Sequence, residues 1–374
     1  MTSDAAHSRA GDRRVIGVIP GSLVSGAEAV LLRDLVAARD AGWSVRVACS
    51  DGPFVDRAAA VGVERVEIPD LRLAPGSRAV AFARLAVASV RTAWTLRRAL
   101  APNELVLANG LNVLPACSLL GRRHRIVYFG HDVLIRRDRL ALLRLVRRSI
   151  HLVIAVSDAV ARSIAELRLP TEVIHNGTAW PVEPAPARDF TRPAVVGVAA
   201  VVTPWKGQHV LLDAVARMHH RNVHVEIMGA TAPKDEAYAA RLRARSDQPD
   251  LRGRVTFLGH VDDPLARMRT WAITVLASVD PEAGPLTALE AMSIGVPVVG
   301  TDHGGMVEVI GDAGLLVPPD DADALGRALD RLLDDADLWT RCHRTGPEQI
   351  THHALTLADH ERAMLAALER CVRE

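Results

Sequence analysis

Two carboxylates open the question of chemistry. Glu282 and Glu290 are separated by seven residues in the stretch Glu282-Ala283-Gly284-Pro285-Leu286-Thr287-Ala288-Leu289-Glu290, which follows the apolar run Ile273 to Ala277. Pro285 fits the first position of a helix, where its missing N–H costs nothing. The amides of Leu286 and Thr287 then become unpaired donors at the positive end of the helix dipole, a site suited to phosphate. Glu282 falls in the loop before that helix and Glu290 one turn inside it. On helical spacing Glu290 shares a face with Leu286, Leu289 and Ile294, so it is expected to point into apolar surroundings and to need a bonding partner. With a rise of about 1.5 Å per residue, the two carboxylates can flank a diphosphate at the helix start, one taking sugar hydroxyls and the other ribose hydroxyls. A capping acid plus a core ion pair fits the same residues.

Lys206 is the second candidate. The chain holds 45 Lys plus Arg, yet only Lys206 and Lys234 are lysine. A lysine kept in Pro204-Trp205-Lys206-Gly207, where every other basic position but one is arginine, suggests a compact ammonium acting as a phosphate point contact. His131 is the third. It follows the apolar run Ile126 to Gly130 and precedes Asp132, which places it at the carboxyl end of a predicted strand.

Elements of a definite kind must hold these residues. Val15 to Pro20, Val45 to Ser50, Leu105 to Asn109, Ile126 to Gly130 and Leu152 to Ser157 read as strands, with helical stretches such as Ala27 to Ala41 between them. Strands apolar on both faces imply a parallel sheet covered by helices on each side. The rhythm breaks in the proline-rich segment Pro181 to Pro193, read as a linker. It restarts with Ala194 to Val202, Val223 to Met228, Val255 to Leu258, Ile273 to Ala277 and Pro297 to Gly300. The expected fold is α/β, with two doubly wound Rossmann-like domains facing a central cleft. Residues 1–180 form the first domain and 194–353 the second. A helix over 354–374 is expected to follow and to return to the first domain.

Composition narrows the class. A length of 374 residues is enough for two cores, and 49% hydrophobic with 24% charged residues is a globular profile. The formal net charge of +1 gives no general drive toward nucleic acid. Cys49, Cys117, Cys342 and Cys371 are scattered without zinc-ligand spacing, which fits reducing cytosol. The polar start Met1 to Arg14 lacks the apolar core of a signal peptide, and no later run has transmembrane length, so a cytoplasmic location is expected. One exception is the basic amphipathic stretch Ile135 to Ile150. It reads first as a solvated helix and second as a weak peripheral contact with the inner membrane face. The pairs Asp321/Asp323 and Asp335/Asp337 precede helical runs and read as N-caps rather than metal ligands, so no essential metal is expected.

The residues resemble the family-4 glycosyltransferases of the GT-B fold. Glu282 and Glu290, followed by Pro297, Gly304, Gly305 and Glu308, look like that family's glutamate-x7-glutamate signature. Ser25-Gly26-Ala27-Glu28 resembles its first-loop Gly-Gly-x-Glu, Val156-Ser157-Asp158 and Val173-Ile174-His175-Asn176-Gly177 match two further blocks, and Thr203-Pro204-Trp205-Lys206-Gly207-Gln208 resembles its phosphate-binding segment. Phe257-Leu258-Gly259-His260-Val261 resembles the strand end near the base. The resemblance implies that Glu282 contacts the donor sugar, Glu290 the ribose, and Lys206 the diphosphate. It also implies that Ser25 and Gly26 approach that diphosphate, that backbone near Val261 meets the base, and that His131 sits near the donor sugar. Gly284, Pro285, Leu286 and Thr287 complete the expected donor site.

Two positions depart from the family pattern. Val201 stands where an arginine is common, five residues before Lys206, and Ser25 replaces the first glycine. Arg136 and Arg137 are the candidates for the missing charge.

The reaction so implied moves a hexosyl group, with retention, from a nucleotide diphosphate sugar (UDP- or GDP-linked) to the hydroxyl of a glycan, a lipid-linked acceptor or a small metabolite. It needs no cofactor. A GT-B nucleotide-sugar epimerase, a phosphorylase, or a non-catalytic sugar-nucleotide binder shares the expected two-lobed architecture.

Overall fold

A computed structural model describes residues 13–22, 25–72 and 78–373. The N-terminal expectation concerning export falls mostly on residues 1–12, which lie outside the described residues. The chain divides into two compact units, Met1–His175 with His360–Glu374, and Asn176–Asp359.

The first unit is a seven-stranded parallel sheet. Its strands are β1 (Arg14–Val18), β2 (Ser44–Cys49), β3 (Glu64–Glu67), β4 (Leu105–Asn109), β5 (Ile126–Gly130), β6 (Ile150–Ala155) and β7 (Thr171–Val173), in the order β3-β2-β1-β4-β5-β6-β7. The central pairs are in continuous parallel register, with Val15 opposite both Val45 and Leu105. Ile16, Val18, Val106, Ala108 and Tyr128 pack one core, and Gly17 faces Leu31 and Leu35 of the helix Gly26–Asp40. The helix Leu357–Arg373 begins in the second unit and joins the first from His360 onward.

The second unit is a six-stranded parallel sheet of β8 (Ala194–Ala199), β9 (Val223–Met228), β10 (Val255–Gly259), β11 (Ile273–Leu276), β12 (Val298–Thr301) and β13 (Gly314–Val317), in the order β10-β9-β8-β11-β12-β13. The period of two along a strand divides its side chains between two cores. Val196 and Val198 of β8 enter one core with Leu211, Leu212 and Leu329, while Val195 and Ala199 pack on the other with Leu289 and Met292. Both faces are thus covered by helices, which is why these strands are apolar throughout.

Three strands escaped the sequence reading: β3, β7 and β13. Each is the outer strand of its sheet, short and only partly buried; β3 and β7 carry no continuous apolar run, and the apolar run of β13 is only Gly314 to Val317. The proline-rich segment contains no helix or strand, but Ala185 is buried and its amide donates to the Ile294 carbonyl at 2.7 Å. That anchor holds the segment onto the second unit.

Candidate functional site

In the second unit the strand order reverses between β8 and β11, and chain leaving the carboxyl ends of these two strands builds the site. This switch point is where open parallel sheets bind ligands. After β8 the backbone forms a short 3-10 turn, Pro204–Lys206, closed by Gly207. Gly207 has φ +67°, and a Cβ there would lie 1.8 Å from the Ala277 carbonyl oxygen. The glycine lets the turn press against the end of β11, where the Val279 amide donates to the Trp205 carbonyl at 2.8 Å.

The consequence is a direct contact. Lys206 Nζ donates to Glu282 Oε1 at 2.7 Å, and both side chains are largely buried, at 16% and 9% exposure. Ser278 Oγ also donates to Glu282 Oε1. Lys206 Nζ stands 4.2 Å from the centroid of the Trp205 ring, a cation–π contact that holds the ammonium from its other side. The glutamate loop is pinned as well. Its Glu282 carbonyl accepts from the Gly305 amide at 2.7 Å, and the Gly284 carbonyl accepts from Asn176 Nδ2 at 3.2 Å.

The helix that follows is Leu286–Ser293. Pro285 is its N-cap rather than its first residue, because the Pro285 carbonyl accepts from the amides of Ala288 and Leu289 at 3.0 and 3.3 Å while its own torsions are non-helical. Leu286 and Thr287 are therefore the first two helical residues, whose amides have no carbonyl within the helix to bond. Thr287 Oγ1 donates to the Ala199 carbonyl at 3.0 Å and ties this helix start to the end of β8. Lys206, Ser278, Glu282, Thr287 and Ala199 line one small pocket. Glu290, expected to face apolar surroundings, is half-buried, whereas Leu289 and Ile294 are buried.

Val261, just beyond β10, is partly buried against the core that contains Leu289 and Met292. Val201 is 53% exposed, and its carbonyl accepts from the buried Gln208 side chain at 2.9 Å. Asp321 and Asp335 accept from the Ala324 and Leu338 amides, each at 2.8 Å, as helix N-caps.

In the first unit, the remaining predicted residues also lie beyond carboxyl ends of strands. Ser25 caps the helix Gly26–Asp40 in a capping box with Glu28, and Gly26 is exposed at the helix start. His131 follows β5, and its Nε2 donates to Asn109 Oδ1 at the end of the neighbouring β4, at 2.8 Å. Phe129 packs on the imidazole with ring centroids 4.0 Å apart. Burial, aided by nearby His360, pushes the His131 pKa down to about 3, so the ring is neutral at pH 7. Arg136, proposed as a substitute charge, is exposed and paired with Asp138 at 2.7 Å. Arg137 begins the helix Arg137–Val146, which buries Leu143 and Val146 as its basic amphipathic pattern implies.

Sequence reasoning named Asn176 only as part of a motif block and Asn109 only as a strand end, and missed Ser278 altogether. Ser278 and Asn109 each stand at or just past the carboxyl end of a strand, the one signal that singles them out. Several exposed large apolar side chains gather on the helix Arg78–Ala99, and Leu145 of the helix Arg137–Val146 is 80% exposed. Val87, Val90 and Trp94 of the helix Arg78–Ala99 are 62%, 60% and 56% exposed, and the Arg98 guanidinium lies over Trp94. Among the described residues no helix is long and apolar enough to cross a membrane.

Residues 24–179 match the model of "Glycosyltransferase Family 4" and residues 192–335 that of "Glycosyl transferases group 1". Sucrose-phosphate synthase of Spinacia oleracea is 34% identical over 132 residues, covering 33% of this chain and 12% of that protein. Phosphatidyl-myo-inositol mannosyltransferase of Mycolicibacterium smegmatis is 36% identical over 140 residues, covering 36% of this chain and 34% of that protein. The matched stretches thus span well under half the length of these relatives. Among solved structures, Anabaena Alr3699/HepE in complex with UDP and glucose superposes with a TM-score of 0.80 at 23% identity, covering 96% of this chain and 99% of that one. With one domain model on each half and this two-sheet architecture, the chain belongs to the GT-B glycosyltransferases, a Glycosyltransferase Family 4 domain followed by a Glycosyl transferases group 1 domain.

Proposed function

We propose that the protein transfers a hexosyl group from a nucleotide diphosphate sugar to an acceptor hydroxyl, with retention at the anomeric carbon and without a metal. The observation that carries this reading is the Lys206 ammonium, 2.7 Å from Glu282 in a pocket beside the free amides of a helix start. Such a cluster can receive a diphosphate on Lys206 and the Leu286 and Thr287 amides while Glu282 turns to sugar hydroxyls. Lys206 and the helix amides then stabilise charge as the nucleoside diphosphate leaves, an effect realised most strongly in the transition state. Glu290, one turn further, takes ribose hydroxyls, and backbone near Val261 meets the base.

Attack from the leaving-group face, with a diphosphate oxygen accepting the acceptor's proton, requires no side-chain base. The neutral His131 suits a hydrogen-bonding role toward the sugar and is unsuited to acting as a standing cation.

UDP-glucose is the first donor to test, because a structural relative of the same fold is described in complex with UDP-glucose. The test is a thermal-shift screen of UDP-glucose, UDP-GlcNAc and GDP-mannose, followed by an NMR assay of the stabilising donor with and without acceptor. Binding to the native state raises the melting temperature. Sugar transfer that retains anomeric configuration supports the proposal; donor conversion without acceptor points to an epimerase, and binding without turnover to a non-catalytic binder. The exposed apolar and arginine-bearing face of the helix Arg78–Ala99 suits contact with an anionic membrane surface. Sedimentation with anionic against neutral vesicles tests that part.

A further inference from the structure

Away from the donor pocket, the second unit gathers two imidazoles and two carboxylates at the amino ends of its strands. His219 and His220 lie between the helix Gln208–Arg217 and β9, while Asp330 and Asp334, four residues apart, share one face of the helix Ala322–Asp334. The contacts are mutual. His219 Nδ1 lies 3.0 Å from Asp330 Oδ2, and His219 Nε2 lies 3.1 Å from Asp334 Oδ2. His220 Nε2 lies 2.7 Å from Asp334 Oδ1. Asp330 also accepts from the backbone amides of His219 and His220 at 3.2 and 3.3 Å.

A neutral imidazole carries one N–H, yet both ring nitrogens of His219 face carboxylate oxygens. One of those contacts sets a lone pair against an anion unless a positive charge sits on or beside the ring. Protonating His219 alone supplies that charge, with the His220 ring 4.5 Å away between centroids, and a bound cation supplies it without the proton. The carboxylates add to the demand, since Asp330 and Asp334 occupy the last turns of their helix, the negative end of its dipole. A single divalent cation on the Nε2 side resolves each conflict.

We propose that His219 Nε2, His220 Nε2 and the Asp334 carboxylate form a site for a divalent transition ion of the zinc type, with Asp330 as a positioning residue on His219 Nδ1. The ligand atoms of His219, His220 and Asp334 already lie within 4.8 Å of one another. Tetrahedral coordination with bonds of about 2.0–2.2 Å requires separations of roughly 3.3 Å, a small adjustment. Imidazole with carboxylate is a donor set suited to zinc, and a carboxylate on the far ring N–H is the usual support of a ligating histidine. Here that carboxylate is itself fixed by two backbone amides. The ion would tie the loop before β9 to the helix Ala322–Asp334, at the end of the sheet opposite Lys206 and Glu282, and so is separate from the transfer chemistry.

The test is calorimetric titration of the full chain, stripped with EDTA, using Zn2+ alone, together with melting curves with and without Zn2+. The expected result is one saturable Zn2+ per chain and a higher melting temperature. His219→Ala and the isosteric Asp334→Asn should each abolish both, and Asp330→Asn should weaken binding about 10–100-fold. Each variant should match the parent's melting temperature in EDTA. Absence of saturable Zn2+ binding by the parent chain overturns the proposal. Binding that survives unchanged in both His219→Ala and Asp334→Asn overturns it too, since the ion then sits elsewhere among the chain's 15 histidines.

Discussion

Lys206 Nζ lies 2.7 Å from Glu282 Oε1, so the cation and the carboxylate assigned to opposite parts of a nucleotide sugar are partners before any ligand arrives. The pair keeps each charge neutralised in a largely buried pocket and places both where a diphosphate and its sugar would exchange for one another. Breaking the pair should therefore cost catalysis more than folding.

In Lys206→Ala, turnover should fall about 10²–10³-fold, the scale associated with losing one donor to developing negative charge. The measurement is product formation by purified protein at saturating donor, with a urea midpoint alongside. Near-parent turnover would remove Lys206 from the mechanism.

Gly304 has φ +63°, and a Cβ there would lie 2.3 Å from the Glu282 carbonyl oxygen. Gly304→Ala should destabilise the protein by about 1–3 kcal/mol through backbone strain and should lower turnover by displacing the glutamate loop. Urea denaturation gives the first quantity. A variant as stable as the parent would show that the loop yields without cost.

Val201 is exposed and carries no charge beside the donor pocket's lysine turn. Val201→Arg should tighten UDP binding by about tenfold or more, the equivalent of roughly 1.5 kcal/mol for a hydrogen bond to a charged group. Calorimetry with UDP decides this, and unchanged affinity would mean that the pocket has no use for a second cation.

His131 should shape the acid side of the stability profile. Its folded pKa of about 3 lies below the ordinary imidazole value of 6.5, so between those limits the unfolded chain holds a proton that the folded chain releases. Stability from this group is complete above about pH 6.5 and is lost as pH falls toward 3, with a slope approaching 1.4 kcal/mol per pH unit. Two groups in the same unit act in the opposite sense. Burial raises the Asp34 pKa, and the Asp34 carboxylate outweighs burial to raise that of His360, with which it is paired at 2.9 Å. The contribution of each favours the lower end of its range and declines as pH rises through the raised folded pKa. Since both remain in His131→Gln, the difference between variant and parent in urea titrations from pH 4 to 7 isolates His131. Parallel profiles would contradict its depressed pKa.

Much of this protein is written locally. The strands β1, β2, β4, β5 and β6 and their counterparts in the second unit are apolar runs long enough to read, because a strand covered on both faces must be apolar at every position. The glutamate spacing, the proline before the helix and the solitary lysine turn are likewise sequential facts. Other features exist only once the chain is folded. The edge strands β3 and β7 have one open side and no continuous pattern, and the apolar run of β13 is only four residues long. The Lys206–Glu282 contact joins residues 76 apart, held by Gly207 against Ala277 and by Gly304 against the glutamate's own carbonyl. Ser278 and Asn109 are marked only by their place at a strand end, and the pairing of His219 with Asp330 and Asp334 carries no local signature, because a side chain's partner across a sheet or between a loop and a distant helix is set by strand order and helix phase. Periodicity and turn chemistry determine the elements, while burial and long-range register decide which charges meet.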